Sequence, residues 1–324
     1  MPDLWIDLLH ILDATLRLAT PLILCAMAGL ISERGGVIDI GLEGKLLAGA
    51  FAAAAVASLT GSALLGVLAA VLVGAALSLV HGFACITHKG EHIISGVAIN
   101  ILASGLTVVV GIALFQQGGQ TPLLGPEERF GSIALPLAAT LGGVPVFGPL
   151  YSELISGHNI LVYIALASVP AVYFLLYRTT FGLRLRAVGE APEAIDSAGL
   201  SVTRLRYGAV LIAGCLCGLA GAYLSIAHGA GFVREMSAGK GFIALAAMIF
   251  GKWRPWPVLF ACLIFGFLEA IAARLQGTEM PVIGVVPVEM ILVLPYIATV
   301  ILLAGFFGQA IPPRALGTPY VKER

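Results

Sequence analysis

Charged side chains are scarce in this chain, so those that fall inside apolar runs narrow the chemistry it can perform. Asp39, Glu43 and Lys45 sit together in GGVIDIGLEGKLLAGAF, where an apolar segment begins. A charge in hydrocarbon costs roughly 2.5–3.5 kcal/mol on insertion scales, so such groups normally face protein or water. Glu43 and Lys45 are two residues apart and do not share a helix face. Two roles fit the carboxylates: capping free N–H groups at a helix start, or lining a path for a polar solute. The first role suits Asp39, and Glu43 leans to the second. A later segment, HIISGVAINILASGLTVVVG, spaces Ser95, Asn100 and Ser104 along one apolar run and ends near Phe115, Gln116 and Gln117. Such side chains bind either a ligand or a neighbouring helix. Glu43, Ser95, Asn100 and Gln116 are therefore the candidate pathway residues. Glu269 and Arg274, near the end of another segment, are accounted for by a local ion pair.

A second group of chemistry-bearing residues lies in RTTFGLRLRAVGEAPEAIDSAGLSVTRLR, Arg178 to Arg206, which holds five of the 18 Lys and Arg residues. Pro192 suits the first turn of a helix, where its missing N–H has no partner to lose. Gly199 suits the left-handed position just past a helix end. The spacing predicts a short helix over Ala191–Ala198, with Ala194, Ile195 and Ala198 on one face. A small apolar knob on a basic loop has the shape of a docking element; an ordinary solvated loop is the alternative.

Other chemistries lack their residues. GLEGKL and SAGKGF contain Gly-Lys but neither the spacing nor the hydroxyl of G-x-x-x-x-G-K-[ST], so no ATP phosphates are cradled by this chain. No H-E-x-x-H or G-x-S-x-G occurs, which argues against an intramembrane hydrolase. The five cysteines lie inside apolar segments without zinc spacing and read as small core residues. We expect no catalytic residues, no metal and no cofactor. Formal net charge is zero, so nothing points to nucleic acid.

The elements that position these residues are membrane helices. The chain has 324 residues, is 59% hydrophobic and 11% charged, and has a mean hydropathy of +1.00. The N-terminus carries Asp3 and Asp7 where a signal peptide would carry Lys or Arg, so no cleavage is expected. Apolar segments run over about 8–31, 37–60, 62–86, 92–117, 159–177, 204–227, 238–251, 255–275 and 288–308. The seventh is too short to cross and reads as half of a broken helix. The expected fold is one all-α membrane domain over residues 1–324, a polytopic bundle of about eight to ten transmembrane helices. Placing the Arg178–Arg206 loop in the cytoplasm puts twelve basic residues inside against four outside, a positive-inside bias. The C-terminus is then cytoplasmic, the N-terminus is external if nine segments cross, and 118–158 becomes an external loop. Its apolar run Ile133–Pro149 is expected to be surface-packed or re-entrant.

Two segments start alike: GGVIDIGLEGKLLAGAF and REMSAGKGFIALAAM each pair Gly-Lys with a glycine-broken beginning. Each precedes a Gly-containing apolar helix, and the expected topology runs the two in opposite senses. Broken helices at matching places of an inverted repeat point to a transporter's central pathway.

Taken together, GLISERGGVIDIGLEGKLLAGAF, GEHIISGVAINILA and FGLRLRAVGEAPEAIDSAGLSVTRLRYGA resemble the integral-membrane permease of bacterial ABC importers. That family is shared by branched-chain amino acid, ribose and other simple-sugar permeases, and IDIGLEG resembles its nucleoside-importing subgroup. The resemblance covers about Leu18 to Phe307. It implies a multi-pass protein of the bacterial inner membrane that performs no covalent chemistry and imports nucleosides or simple sugars. The implied partners are ABC ATPase subunits, a second related permease and an external binding lipoprotein. A coupling helix is implied at Glu190–Leu200, so Arg184, Arg186, Glu190, Pro192, Ala194, Ile195, Ala198, Gly199 and Leu200 are the candidate ATPase contacts. Ile195, as its largest apolar side chain, is expected to be buried in the ATPase and not in its own chain. An ion-gradient-driven secondary transporter is the alternative.

Overall fold

The computed structural model describes residues 2–136, 148, 150–275, 279–280, 284–285, 293, 297 and 311–322. Its long helices are α1 (Pro2–Arg34), α2 (Leu42–Thr60), α3 (Ala63–Gly82), α4 (His92–Phe115), α5 (Ile160–Arg178), α8 (Val202–Tyr223) and α10 (Pro255–Leu275). Two short helices, α6 (Thr180–Glu190) and α7 (Pro192–Ser197), connect α5 to α8. A third, α9 (Lys240–Phe250), lies between α8 and α10. Single π-helical turns extend α3 over Phe83–Thr87 and α8 over Leu224–His228. The only strands among the described residues are two-residue pieces, Glu279–Met280 and Gly284–Val285. The chain is an all-α, multi-pass membrane protein.

Seven of the described helices are long and apolar enough to cross a membrane, and they match seven of the nine expected segments. The seventh expected segment is α9, whose 11 residues rise only about 16 Å against a hydrocarbon layer of about 30 Å. All but residues 293 and 297 of the ninth, 288–308, and most of the run 133–149 lie outside the described residues.

Helices α1, α2 and α8 are buried along most of their length, whereas α3 and α4 expose most of theirs. The core gathers Leu22, Met27 and Ile31 of α1, Leu46 and Phe51 of α2, Cys217 and Tyr223 of α8, Met248 of α9 and Phe265 of α10. Between α3 and α8 the contact is made by small residues. A Cβ added to Gly74 would stand 2.3 Å from the Gly214 carbonyl oxygen. Bare backbones in close approach give dispersion contact where water supplies no driving force between helices. All five cysteines are free, four of them buried, as expected of small core residues.

The order of contacts defines two ends. At one end lie the last turn of α1, the α3–α4 link, α6, α7, residues 251–254 and the tail 311–322: Arg34 Nη2 donates to the Trp253 carbonyl (2.8 Å), Thr87 Oγ1 and Tyr207 Oη are 2.6 Å apart, and Ala315 N donates to the Gly189 carbonyl (2.8 Å). At the other, Arg274 pairs with Asp7, and further into the bundle Glu269 pairs with Lys240 (2.5 Å). Glu269 and Arg274 therefore do not pair with each other as expected; each finds a partner brought by another helix.

Candidate functional site

Between Arg34 and Leu42 the chain turns back into the bundle without forming helix. A non-helical stretch at this depth must satisfy its polar groups within protein. Two histidines do this for Ile38, whose N–H donates to His92 Nδ1 (3.1 Å) and whose carbonyl lies 2.9 Å from His81 Nε2. Ser95 Oγ is 2.9 Å from His81 Nδ1. Ser95, expected on the pathway, thus fixes the ring that holds the chain.

Asp39 and Lys45 form a fully buried ion pair, with Lys45 Nζ 2.7 and 2.6 Å from the two carboxylate oxygens. Asp39 therefore takes its main partner from a side chain, and the expected capping role is corrected. The N-cap of α2 is Gly41, which has no side chain to cap with. Asn100 of α4 supplies the cap from outside the helix: its Oδ1 accepts from Gly44 N (2.7 Å), and its Nδ2 donates to the Ile40 carbonyl (3.1 Å).

Glu43 performs the matching service for α9. Its Oε1 accepts from Gly239 N (2.8 Å) and its Oε2 from Gly241 N (2.6 Å). The half-helix has no cap of its own, and its exposed N–H groups and positive dipole end favour a carboxylate. Close approach is possible because residue 241 is glycine: a Cβ there would lie 2.6 Å from Glu43 Cα. So α2 and α9 start at one level and run towards opposite ends, the relation expected of an inverted repeat. That level lies about 12 Å along α4, since Asn100 is eight residues beyond His92. The structure brings Glu43 and Asn100 to this junction and leaves Gln116 apart, exposed in the left-handed C-cap of α4.

The loop between α5 and α8 holds the second candidate site. Thr179 ends α5 and caps α6, accepting from Gly182 N at 3.0 Å. Pro192 opens α7, and Gly199 follows it with φ of +78°, where a side chain would be strained. The observed helix, Pro192–Ser197 with Ala198 as cap, falls within the expected Ala191–Ala198.

Its faces differ from the expectation. Pro192 and Ile195 are buried, while Ala194, Ala198 and Gly199 are exposed. Ile195 packs on Val188 and Val202, with Leu200 and Tyr320 at the edge, so it belongs to its own chain's core and not to the docking surface. The tail supplies that cover. Arg206 Nη1 donates to the Thr318 carbonyl (3.1 Å), Gly317 N to the Gly36 carbonyl (3.0 Å), and Lys322 Nζ is 3.2 Å from Asp196. Tyr320 and Lys322 beside Asp196 hold its carboxyl below the usual carboxylate range. Arg186 also turns inward, donating to the Leu176 carbonyl (3.0 Å) with its guanidinium 4.7 Å over Tyr177. Arg184 and Glu190 remain exposed. Beside α7 a groove of about 490 Å³ is lined by Thr87, Lys89, Asp196, Leu200, Thr203 and Lys322.

One functional candidate escaped the sequence reading. Glu235, in the loop after α8, is exposed and accepts a hydrogen bond from Ser104 Oγ in the middle of α4. The signal was present in the backbone break that REMSAGKG implies, but not in any spacing.

Residues 11–309 match the family described as Branched-chain amino acid transport system / permease component. Guanosine ABC transporter permease NupQ of Bacillus subtilis is 40% identical over 320 residues, 97% of each chain. Nucleoside ABC transporter permease NupC of Lactococcus lactis is 36% identical over 327 residues, 98% of this chain and 99% of that one. Glucose ABC transporter permease TsgB13 of Haloferax volcanii is 28% identical over 301 residues, 89% of this chain and 75% of that one. No solved structure matches the chain at a significant level.

Proposed function

The chain belongs to the branched-chain amino acid transport permease family, and we propose that it forms part of the membrane pathway of an ATP-driven importer whose solute is a nucleoside. The observation that carries this reading is the junction itself. Two helix starts of opposite sense meet at one buried level and are capped in trans by Glu43 and Asn100. Helices broken at mid-depth give a pathway its polar groups and its pivot. The names of the two nucleoside relatives point to a nucleoside, and a Haloferax volcanii relative named for glucose, at 38% identity, makes a simple sugar the second candidate.

In this reading the Arg178–Arg206 end faces the cytoplasm, following the twelve-to-four basic bias. The C-terminal tail lies there with the loop, and residues 118–158 lie outside. The exposed side of α6 and α7, Arg184, Glu190, Ala194, Ala198 and Gly199, meets a separate ATPase subunit. ATP-driven closure of two such subunits moves the coupling helices together and rocks the bundles between inward and outward states. A second related permease completes the pathway, and an external binding lipoprotein delivers the solute. A secondary transporter needs a carboxylate free to load an ion or proton. Both carboxylates of the junction are taken, Asp39 by Lys45 and Glu43 by two backbone N–H groups, which leaves Glu235 beside Ser104 as the carboxylate on which the gradient arm of the test below bears.

The test is reconstitution of the permease with its ATPase, second permease and binding protein in proteoliposomes. Labelled guanosine should enter only with ATP and binding protein. Uptake driven by a proton or sodium gradient in the absence of ATP would overturn the reading.

A further inference from the structure

Glu235 stands at a depth where a carboxylate must find its partners in protein or water. Its partner Ser104 lies 12 residues beyond His92, the first residue of α4. That is about 18 Å along the helix axis, near the middle of a hydrocarbon layer of about 30 Å. An exposed carboxylate at that level faces water or protein, never lipid. Asn100, one turn earlier, shares its helix face with Ser104, and Glu43 lies just beyond. This polar line runs along a helix whose other exposed residues include Ile94, Ile101 and Val109.

The backbone is committed to the same placement. Glu235 has φ of +56°, and Ala238 follows at +47°. Non-glycine residues adopt such angles where surrounding structure over-determines them, which concentrates at ligand-handling sites. Here the Ala238 N–H donates to the Glu235 carbonyl at 3.0 Å, and Met236 N to the Val233 carbonyl at 3.2 Å. One carboxylate oxygen, Oε1, is taken by Ser104. Oε2 has no partner among the described residues.

We propose that Glu235 is the pathway's recognition residue for a neutral solute bearing a vicinal diol, its carboxylate accepting hydrogen bonds from the two hydroxyls. A carboxylate is acceptor-only, so it binds neighbouring O–H donors by charge-assisted hydrogen bonds and repels anions. This inference rests on the transport reading above. The diol chemistry is common to the pentose of a nucleoside and to a free sugar, and the solutes tested separate the two.

The experiment uses the full importer in proteoliposomes and compares Glu235→Gln with the parent. The solutes are guanosine, 2′,3′-dideoxyguanosine, ribose and glucose. Whichever diol solute the parent takes up, guanosine or the free sugars, identifies the source. Initial uptake of that solute at subsaturating concentration should fall about tenfold in the variant, the loss of one charge-assisted hydrogen bond. Dideoxyguanosine uptake should stay within about twofold. Ser104→Ala, which releases Oε1, should raise the apparent KM for the diol solute with little change in maximal rate. Equal loss for diol and dideoxy solutes, or loss of the second permease on co-purification, would make Glu235 a subunit contact and overturn the proposal. Unchanged uptake would overturn it too. A parent complex that moves none of the four solutes would refute the transport reading and this one with it.

Discussion

Removing the carboxylate of Glu43 separates two roles that one residue could play, holding a half-helix or handling a solute. In the folded chain its two oxygens take the Gly239 and Gly241 N–H groups at 2.8 and 2.6 Å. No other side chain among the described residues caps the start of α9. In Glu43→Ala both donors of this part-buried junction lose their partner, and each orphaned N–H costs about 1–3 kcal/mol where water does not replace it. The two together weaken the first turn of α9 by roughly 2–6 kcal/mol. Glu43→Gln keeps one acceptor oxygen but turns an amide N–H₂ towards the other donor, so about half of that loss is expected. Hydrogen exchange reads this directly, because the Phe242 and Ile243 amides donate to the Gly239 carbonyl in the turn that Glu43 anchors. In Glu43→Ala these amides should exchange at least about tenfold faster, since 1.4 kcal/mol of local opening is tenfold in rate. Glu43→Gln should lie between the variant and the parent, and the exchange of α1 should not change. Lost uptake with unaltered exchange in α9 would refute the capping argument and return Glu43 to the solute.

Breaking the buried pair at Lys45→Met should destabilise the detergent-solubilised permease by about 3–5 kcal/mol, because Asp39 is left as an uncompensated buried charge. The double variant Asp39→Leu with Lys45→Met should recover most of that in the same denaturation assay; additive losses would mean the two residues act separately. Ile195→Asp should destabilise the isolated permease by about 1.5–3 kcal/mol or more, as a buried side chain and not a docking one. Ala198→Asp should leave stability within about 0.5 kcal/mol and release the ATPase on co-purification; retention of the ATPase would remove the exposed face of α7 from the contact.

The crossing helices were legible because hydropathy over ~20 residues is a local property and the bilayer thickness is fixed. The half-helix was legible for the same reason, since 11 apolar residues cannot span. Glu43 and Asn100 do meet at one junction, yet their partners were not visible in the sequence. Gly239 and Gly241 lie almost two hundred positions from Glu43, and no periodicity encodes a contact at that separation. The role of Asp39 was misassigned because a helix-start carboxylate suggests a cap, whereas Lys45 curls back six residues to claim it. Glu235 was missed because a charge beside Arg234 between two apolar segments looks like a surface loop. Its depth comes from the chain dipping back to the level of Ser104 before α9 starts.

The Arg178–Arg206 loop shows where local pattern reaches its limit. Helical spacing over Ala191–Ala198 offers two stripes, Ala194 with Ile195 and Ala198, or Pro192 with Ile195, and both contain Ile195. Spacing alone cannot say which stripe faces a partner protein, because an isoleucine is equally suited to either burial. The choice is made from a distance. The tail lays Tyr320 against the Val188–Ile195–Val202 cluster and sets Lys322 on Asp196, while Arg206 holds the Thr318 carbonyl. With that side closed, the apolar residues left outward are small, Ala194, Ala198 and Gly199, and they stand beside the exposed Glu193 and Ser197. A docking helix presenting alanine and glycine brings its backbone close to a partner and relies on shape more than on buried area. The tail therefore fixes how α7 stands on the bundle, with Tyr320 against the cluster beneath it and Lys322 on Asp196.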